Sequence, residues 1–345
     1  MPEKKRALVI GANGQDGSYM LELLLEKGYE VHGTIRRSSV ITTERIEHIF
    51  NKIKLHYIDI TDSMNVLNII SKVKPCEIYN FSAQSHVKIS SELENYTFQV
   101  NTIGVLNILQ SVRILGLEKS CKIYQASTSE IMGNQTDGSI KMNELTQQSP
   151  VSVYGISKHA AQQLCNLYRD AYGLFVVNSI LYNHESSRRG HNFVTQKIAN
   201  HVGKYKHQTS KISPLQLGNL NARRDWGSAK LYMEAVYLML QQEKPDNFVI
   251  ATGETHSVRE FVELAFKEIN VDIEWRGQGV DEIGFKKGTD EILVQVNPKY
   301  YRDIDIECLI GDASKANKIL GWTYNLTFSD LIKEMVSAAI VRASK

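Results

Sequence analysis

At 345 residues the chain is long enough for two domains and a sizeable buried core. Hydrophobic residues make up 42% and charged residues 23%, the proportions of a soluble globular protein rather than a disordered or membrane-embedded one. A formal net charge of +2 argues against nucleic acid or an anionic membrane as the main partner.

Residues 6–10 form a short apolar run of the buried-strand type. Lys4, Lys5 and Arg6 before it resemble the start of a signal peptide, but the run is too short for one and leads into a glycine loop. That loop, GANGQDG (11–17), precedes helical spacing of Leu and Met over 19–27. Strand, glycine loop and helix in this order suit a dinucleotide: glycines form the turn and let a pyrophosphate reach the helix N-terminus. The spacing is GxxGxxG, and the bland alternative is a tight strand-to-helix turn. A second strand is predicted over 30–35. An NAD site would carry an acidic residue at its end; this chain has Arg36, Arg37, Ser38 and Ser39. Two guanidiniums and two hydroxyls suit a 2′-phosphate, so NADP is the expected cofactor.

The alternation continues with a strand over 54–60, in which Asp59 is a candidate for the adenine edge. A helix is expected over 64–73 and a strand over 77–81. Small residues at 82–86 are suited to pass beneath a cofactor. A long helical pattern covers 93–115, and a strand over 122–126 delivers Ser127, Thr128, Ser129 and Glu130. Residues 134–150 read as a loop. A helix over 153–172, stopped by Gly173, carries Tyr154 and Lys158 in its first turns. Residues four apart share a helix face, and an ammonium near a phenol lowers the phenol pKa, making a general base. A strand over 176–181 follows. Regular alternation of this kind predicts a doubly wound parallel sheet of the Rossmann type.

After Tyr182 the pattern changes. Residues 183–190 are polar, 193–205 look helical, and 215–217 read as a short strand. The RRDW stretch (223–226) is expected to open a helix over 228–242. A strand over 248–251, an amphipathic helix over 258–269 and short strands over 273–275 and 292–296 come next, the last two around a charged, glycine-containing loop, 277–290. Helices are expected over 313–320 and 328–342. The division expected is a dinucleotide-binding domain over 1–182, with segments around 220–253 returning to it, and a smaller mixed α/β substrate lobe over 183–345. Cys76, Cys121, Cys165 and Cys308 form no CxxC pair, and the histidines are scattered, so neither a disulfide framework nor a metal site is expected. The expected location is the cytoplasm, with no membrane span.

These stretches together resemble the extended short-chain dehydrogenases/reductases that act on nucleotide sugars, and within them the GDP-mannose 4,6-dehydratase family. The resemblance is carried by GQDGSY (14–19), RRSS (36–39), AQSHVKIS (83–90), YQASTSE (124–130), NHES (183–186), RRG (188–190), NFVT (192–195), RRDWG (223–227), VIATGE (249–254) and SVREFVE (257–263). It covers nearly the whole chain. It implies an NADP-dependent lyase converting GDP-mannose to its 4-keto-6-deoxy form, a first step towards GDP-fucose or other GDP-deoxyhexoses, in a homodimer or homotetramer.

The resemblance also implies roles. Tyr154 takes the C4 hydroxyl proton, Lys158 holds the nicotinamide ribose, Thr128 bonds the C4 oxygen, and Glu130 takes the C5 proton. Gly11, Asn13, Gly14, Gln15 and Asp16 are matched to the pyrophosphate, and Arg36, Arg37, Ser38 and Ser39 to the 2′-phosphate. Asp59, Ile60, Phe81, Ala83, Ser85, Tyr96, His184 and Arg189 complete the cofactor shell. Ser85, Asn183, Asn192, Lys197, Arg224 and Arg302 are matched to the GDP-sugar. The chain departs from the family pattern at Asn13 (usually Thr), at Val153 and Ser187 (usually Pro), and at Asp303 and Asp305. A reductase or epimerase on a related nucleotide sugar is the alternative enzyme, and a non-catalytic NADP-binding regulator the alternative outside enzymes. Glu130 argues against the first, and the intact set of Thr128, Glu130, Tyr154 and Lys158 against the second.

Overall fold

Along residues 7–10, alternate side chains are buried in two different cores: Ala7 and Val9 in one, Leu8 and Ile10 in the other. A strand buried on both faces needs helices on both sides, and the computed structural model, which describes residues 4–134, 140–208, 212–301 and 306–344, supplies them. The first half alternates strands β1 (Arg6–Ile10), β2 (Glu30–Ile35), β3 (Lys54–Tyr57), β4 (Glu77–Asn80), β5 (Lys122–Ala126) and β6 (Phe175–Leu181) with helices. The helices are α1 (Gln15–Glu26), α2 (Ser63–Val73), α3 (Val87–Ser90), α4 (Glu94–Phe98), α5 (Gly104–Ile114) and α6 (Val153–Tyr172). A π-helical turn, Gln99–Ile103, joins α4 to α5, so the long helical pattern is continuous but widened at one point.

The second half holds β7 (Asn183–Glu185), α7 (Val194–Lys206), β8 (Leu215–Leu217), β9 (Arg223–Arg224), β10 (Trp226–Ser228), α8 (Ala229–Leu240), β11 (Asn247–Ile250), β12 (His256–Ser257) and α9 (Val258–Lys267). It ends with β13 (Ile273–Arg276), β14 (Ile283–Lys286), β15 (Ile292–Val296), α10 (Ser314–Leu320) and α11 (Phe328–Ala343). The helix expected over 228–242 is α8, but the RRDW stretch that leads into it forms two short strands, because each pairs with a distant segment, β9 with β12 and β10 with β7. The charged loop over 277–290 contains β14, which pairs with β13 and β15.

Seven strands form one parallel sheet in the order β11-β6-β5-β4-β1-β2-β3. Helices α1, α8 and α10 pack on one face and α2, α5 and α6 on the other. Chain order reverses between β1 and β4, which opens a crevice at the carboxyl ends of the strands. The smaller lobe has a four-stranded mixed sheet, β13-β14-β15-β8, packed with α7, α9 and α11 around a separate core containing Phe261, Phe266 and Met335. Among the described residues no helix is long and apolar enough to cross a membrane.

Candidate active site

A cleft of ≈ 1320 Å³ runs along the carboxyl ends of β1 to β6 and between the two sheets. Its wall is made by the segments that leave those strands.

The glycine loop forms one end. Gly11 has a φ of +84°, and a Cβ there would stand 3.0 Å from the Ser82 backbone nitrogen, so a glycine is required by both torsion and space. At Gly17 a Cβ would lie 2.2 Å from the Gly11 carbonyl oxygen, so the turn and α1 can close only on glycine. Gly14 caps α1 without a side-chain bond. The N-terminus of the helix therefore meets the cleft with no side chain bonded across its cap, and the one carboxylate of its first turn, Asp16, is turned to His184; this leaves a cradle that fits a dinucleotide pyrophosphate. Asn13 donates its amide to the Thr42 carbonyl at 3.1 Å and the Thr42 hydroxyl at 3.0 Å. The departure at this position thus ties the glycine loop to the segment after β2.

Of the four residues expected at a 2′-phosphate, Arg36 and Ser38 line the cleft. Arg36 donates to the Tyr96 hydroxyl. Arg37 and Ser39 lie outside the cleft wall, because the chain leaves the sheet after Ile35 and Arg37 folds back on the Ser38 carbonyl. Asp59, Ile60, Phe81, Ala83, Ser85 and Tyr96 lie along the same wall. One Asp59 oxygen accepts from the Thr61 nitrogen and hydroxyl, at 3.0 and 2.7 Å.

At the floor, Asp16 meets His184. Its Oδ2 is 2.9 Å from His184 Nε2, while His184 Nδ1 is 2.8 Å from the Tyr182 carbonyl. Burial alone would raise the Asp16 carboxyl, but the charge and hydrogen bond of His184, with Gln15 and Arg189, leave it below its ordinary value. Burial likewise opposes the His184 imidazolium, and Asp16 outweighs it, so His184 is raised. Gln15 donates to the His184 carbonyl at 3.1 Å and accepts from Ser186 at 2.8 Å. Arg189 lies 3.1 Å from the buried Glu185 carboxylate and over the Phe193 ring.

Thr128, Glu130, Tyr154 and Lys158 all reach the cleft. The Ser152 hydroxyl caps α6 by accepting from Gly155 N at 3.0 Å, and Ser90 accepts from Tyr154 N at 3.1 Å. A Cβ on Gly155 would stand 2.9 Å from the Glu130 carbonyl oxygen, so this glycine lets the Glu130 turn pack against the helix carrying Tyr154. Thr128 hydrogen-bonds the Tyr154 phenol. The phenol is pushed up to about 12, mainly by burial and also by the charge of Glu130, against the pull of Thr128 and Arg189. The expectation that Lys158 lowers this pKa is not met in this geometry. Lys158 donates to the Ala126 carbonyl at 2.9 Å, and burial lowers its own pKa to about 8. The π-helical turn braces the group: Asn101 bonds the Gln84 backbone and Ser157, and Thr102 donates to the Ser157 carbonyl at 2.8 Å.

On the far side, Asn183, Asn192, Lys197 and Arg224 line the cleft. Lys197 donates to the Gln216 carbonyl at 2.6 Å and sits over the Tyr300 ring. Arg223 turns away to Thr255 and Glu260. Arg302, Asp303 and Asp305 lie outside the described residues. Sequence reasoning missed Arg45, Glu185, Thr195 and Tyr300, which also line the wall. Glu185 sits inside the NHES stretch, but no spacing marks its buried contact with Thr195, whose hydroxyl donates to it.

Comparison with known proteins matches the sequence to one family. Its profile, described as GDP-mannose 4,6 dehydratase, matches residues 8–335. The GDP-mannose 4,6 dehydratase of Drosophila melanogaster is 50% identical over 344 residues, covering 97% of this chain and 86% of the fly protein. That of Homo sapiens is 49% identical over 342 residues, covering 97% of this chain and 91% of the human one. Among solved structures, the UDP-glucose 4-epimerase of Thermus thermophilus in complex with NAD superposes with a TM-score of 0.81 over 97% of this chain and 98% of its own, at 24% identity, a likeness of fold. On this span and identity, the chain belongs to the GDP-mannose 4,6-dehydratase family.

Proposed function

We propose that this chain is an NADP-dependent hydro-lyase that converts GDP-mannose to GDP-4-keto-6-deoxymannose. The observation that carries the reading is the convergence of Glu130 and Tyr154 in one cleft that also holds an uncapped helix N-terminus. When bound, the nicotinamide supplies the hydride acceptor for C4 and later the donor for C6. Tyr154 accepts the C4 hydroxyl proton, with Thr128 holding the C4 oxygen. A 4-ketone acidifies the C5 proton, which Glu130 removes and passes to the departing C6 hydroxyl as water forms; a proton equal to the one Tyr154 took from the C4 hydroxyl is then delivered to C5, so that product and enzyme both regain their starting protonation. Lys158, one turn from Tyr154, is an ammonium below its pKa of about 8 and holds the cofactor ribose. Gly11, Asn13, Gly14, Gln15 and Asp16 hold the pyrophosphate, and Asn183, Asn192, Lys197 and Arg224 the sugar nucleotide. The large sheet serves the cofactor and the small lobe the substrate.

Arg36 and Ser38 in the cleft wall, with no carboxylate at the end of β2, support NADP over NAD. Four free thiols support the cytoplasm as the compartment. Exposed Phe98, Ile103, Ile156 and Leu167 on the helices around α5 and α6 support self-association; light scattering that gives a monomer sinks that part. The main experiment incubates the protein with GDP-mannose and NADP⁺ and follows the sugar by mass. Loss of one water without accumulation of NADPH is expected. Turnover of a dTDP- or UDP-sugar in its place would overturn the substrate.

A further inference from the structure

Strand β9 has two residues, too few to hold their own position. Its neighbour Asp225 is fully buried, and its carboxylate gathers four donors from two distant segments. Oδ1 accepts from the Thr252 nitrogen at 2.8 Å and the Thr252 hydroxyl at 2.7 Å. Oδ2 accepts from Gly253 N at 2.9 Å and Gly311 N at 3.2 Å. Both segments are shaped for this approach. Gly253 has a φ of +79°, and a Cβ on Gly311 would stand 2.3 Å from the Ala251 Cβ.

Side chains alternate along an extended chain, so Arg224 and Trp226, on either side of Asp225, face the cleft while Asp225 faces inward. The carboxylate thus joins the β9–β10 segment to the end of β11, in the large sheet, and to the segment before α10. None of its four donors comes from the glycine loop or from the segment after β2.

We propose that Asp225 is a positioning residue for the substrate side of the cleft: it acts through Arg224, fixing that guanidinium, and so sets affinity for the diphosphate of the nucleotide sugar but not for the cofactor. This rests on the reading of Arg224 as a diphosphate contact. A carboxylate is the suitable group because it is acceptor-only and has four donors to receive. In Asp225→Asn the amide oxygen can serve Thr252, but the amide nitrogen then faces the N–H groups of Gly253 and Gly311.

The test measures GDP affinity by titration calorimetry, which needs no turnover, together with GDP-mannose kinetics and NADP⁺ affinity. The proteins are wild type, R224A, D225N and the double variant. Both single variants are expected to weaken GDP about 10-fold or more, with kcat within about 3-fold and NADP⁺ affinity within about 2-fold. The double variant is expected to be no weaker than R224A. Fully additive losses, an equal loss of NADP⁺ affinity, or unchanged GDP affinity in a folded D225N overturns the proposal. Unchanged affinity in R224A overturns it as well, by removing its premise. A wild type that binds GDP but does not turn over GDP-mannose sinks the proposed function and leaves this inference standing. Should D225N not fold, T252V removes one donor while keeping the branched shape. It is expected to weaken GDP about 2–4-fold, and no change there is equally fatal.

Discussion

The His184 imidazole bridges two acceptors, Asp16 Oδ2 at 2.9 Å from Nε2 and the Tyr182 carbonyl at 2.8 Å from Nδ1. Both partners are acceptors, an arrangement that favours the imidazolium and pins the first turn of α1 to β7. His184 is raised above its ordinary 6.5, so its contribution is complete below 6.5 and is lost as pH rises through the folded value. Asp16 is lowered below its ordinary 3.8, so its contribution is complete above 3.8 and is lost as pH falls through the folded value. The difference in thermal midpoint between wild type and H184Q is therefore expected to be widest between those two limits and to narrow above pH 6.5. A difference that stays constant from acid to alkaline pH argues against the ion pair.

In the proposed reaction Glu130 and Tyr154, which line one cleft, have separable duties. E130Q is expected to lower dehydration about 10²–10⁴-fold while still allowing oxidation at C4, seen as transient reduced nicotinamide on mixing with GDP-mannose. Dehydration at the wild-type rate would remove Glu130 from the mechanism.

Y154F keeps the ring and removes the acid–base group. Its loss is expected to fall on kcat by about 10²–10⁴-fold, and no transient reduced nicotinamide should appear, in contrast to E130Q. Identical traces for the two variants would mean that the duties are not divided in this way.

Position in the cleft wall separates two adjacent arginines. R36A is expected to raise the KM for NADP⁺ about 10-fold with little effect on NAD⁺, and R37A to change either by less than about 2-fold. A larger effect from R37A would place the 2′-phosphate on the outer face of the loop or in contact with a second subunit.

Gly17 is the tightest point of the cofactor turn, since an added Cβ would sit 2.2 Å from the Gly11 carbonyl oxygen. G17A is expected to cost about 1–3 kcal/mol, read as a lower urea midpoint at unchanged slope. NADP⁺ affinity should fall with it, because the same turn shapes the cradle.

The elements legible in the chain are those long enough to show a period or to end in a stop signal. Residues 6–10, 30–35, 122–126 and 153–172 match β1, β2, β5 and α6 at both ends. The proposed catalytic group is legible because Thr128 and Glu130 leave one of these strands and Tyr154 starts one of these helices. The stretch that sequence misreads, 223–228, holds two strands of two and three residues, which exist only through partners far away in the chain, at 256–257 for one and 183–185 for the other. Charge pattern alone does not put Arg36 in the cleft wall and Arg37 outside it. The effect of Lys158 escapes for a similar reason: the spacing puts it near Tyr154, but the Ala126 carbonyl that holds its ammonium comes from another strand.

The large sheet is closed on one side by β11, a strand made long after the other six. During synthesis β6, buried on both faces in the finished protein, waits beside an empty position until the ribosome has delivered residues 247–250 and released them from its tunnel. A nascent chain stalled before that point presents an open, apolar edge to any passing strand. Completing the large sheet is therefore a long-range event, in which residues 247–250 must return to residues 178–181 before that edge is covered.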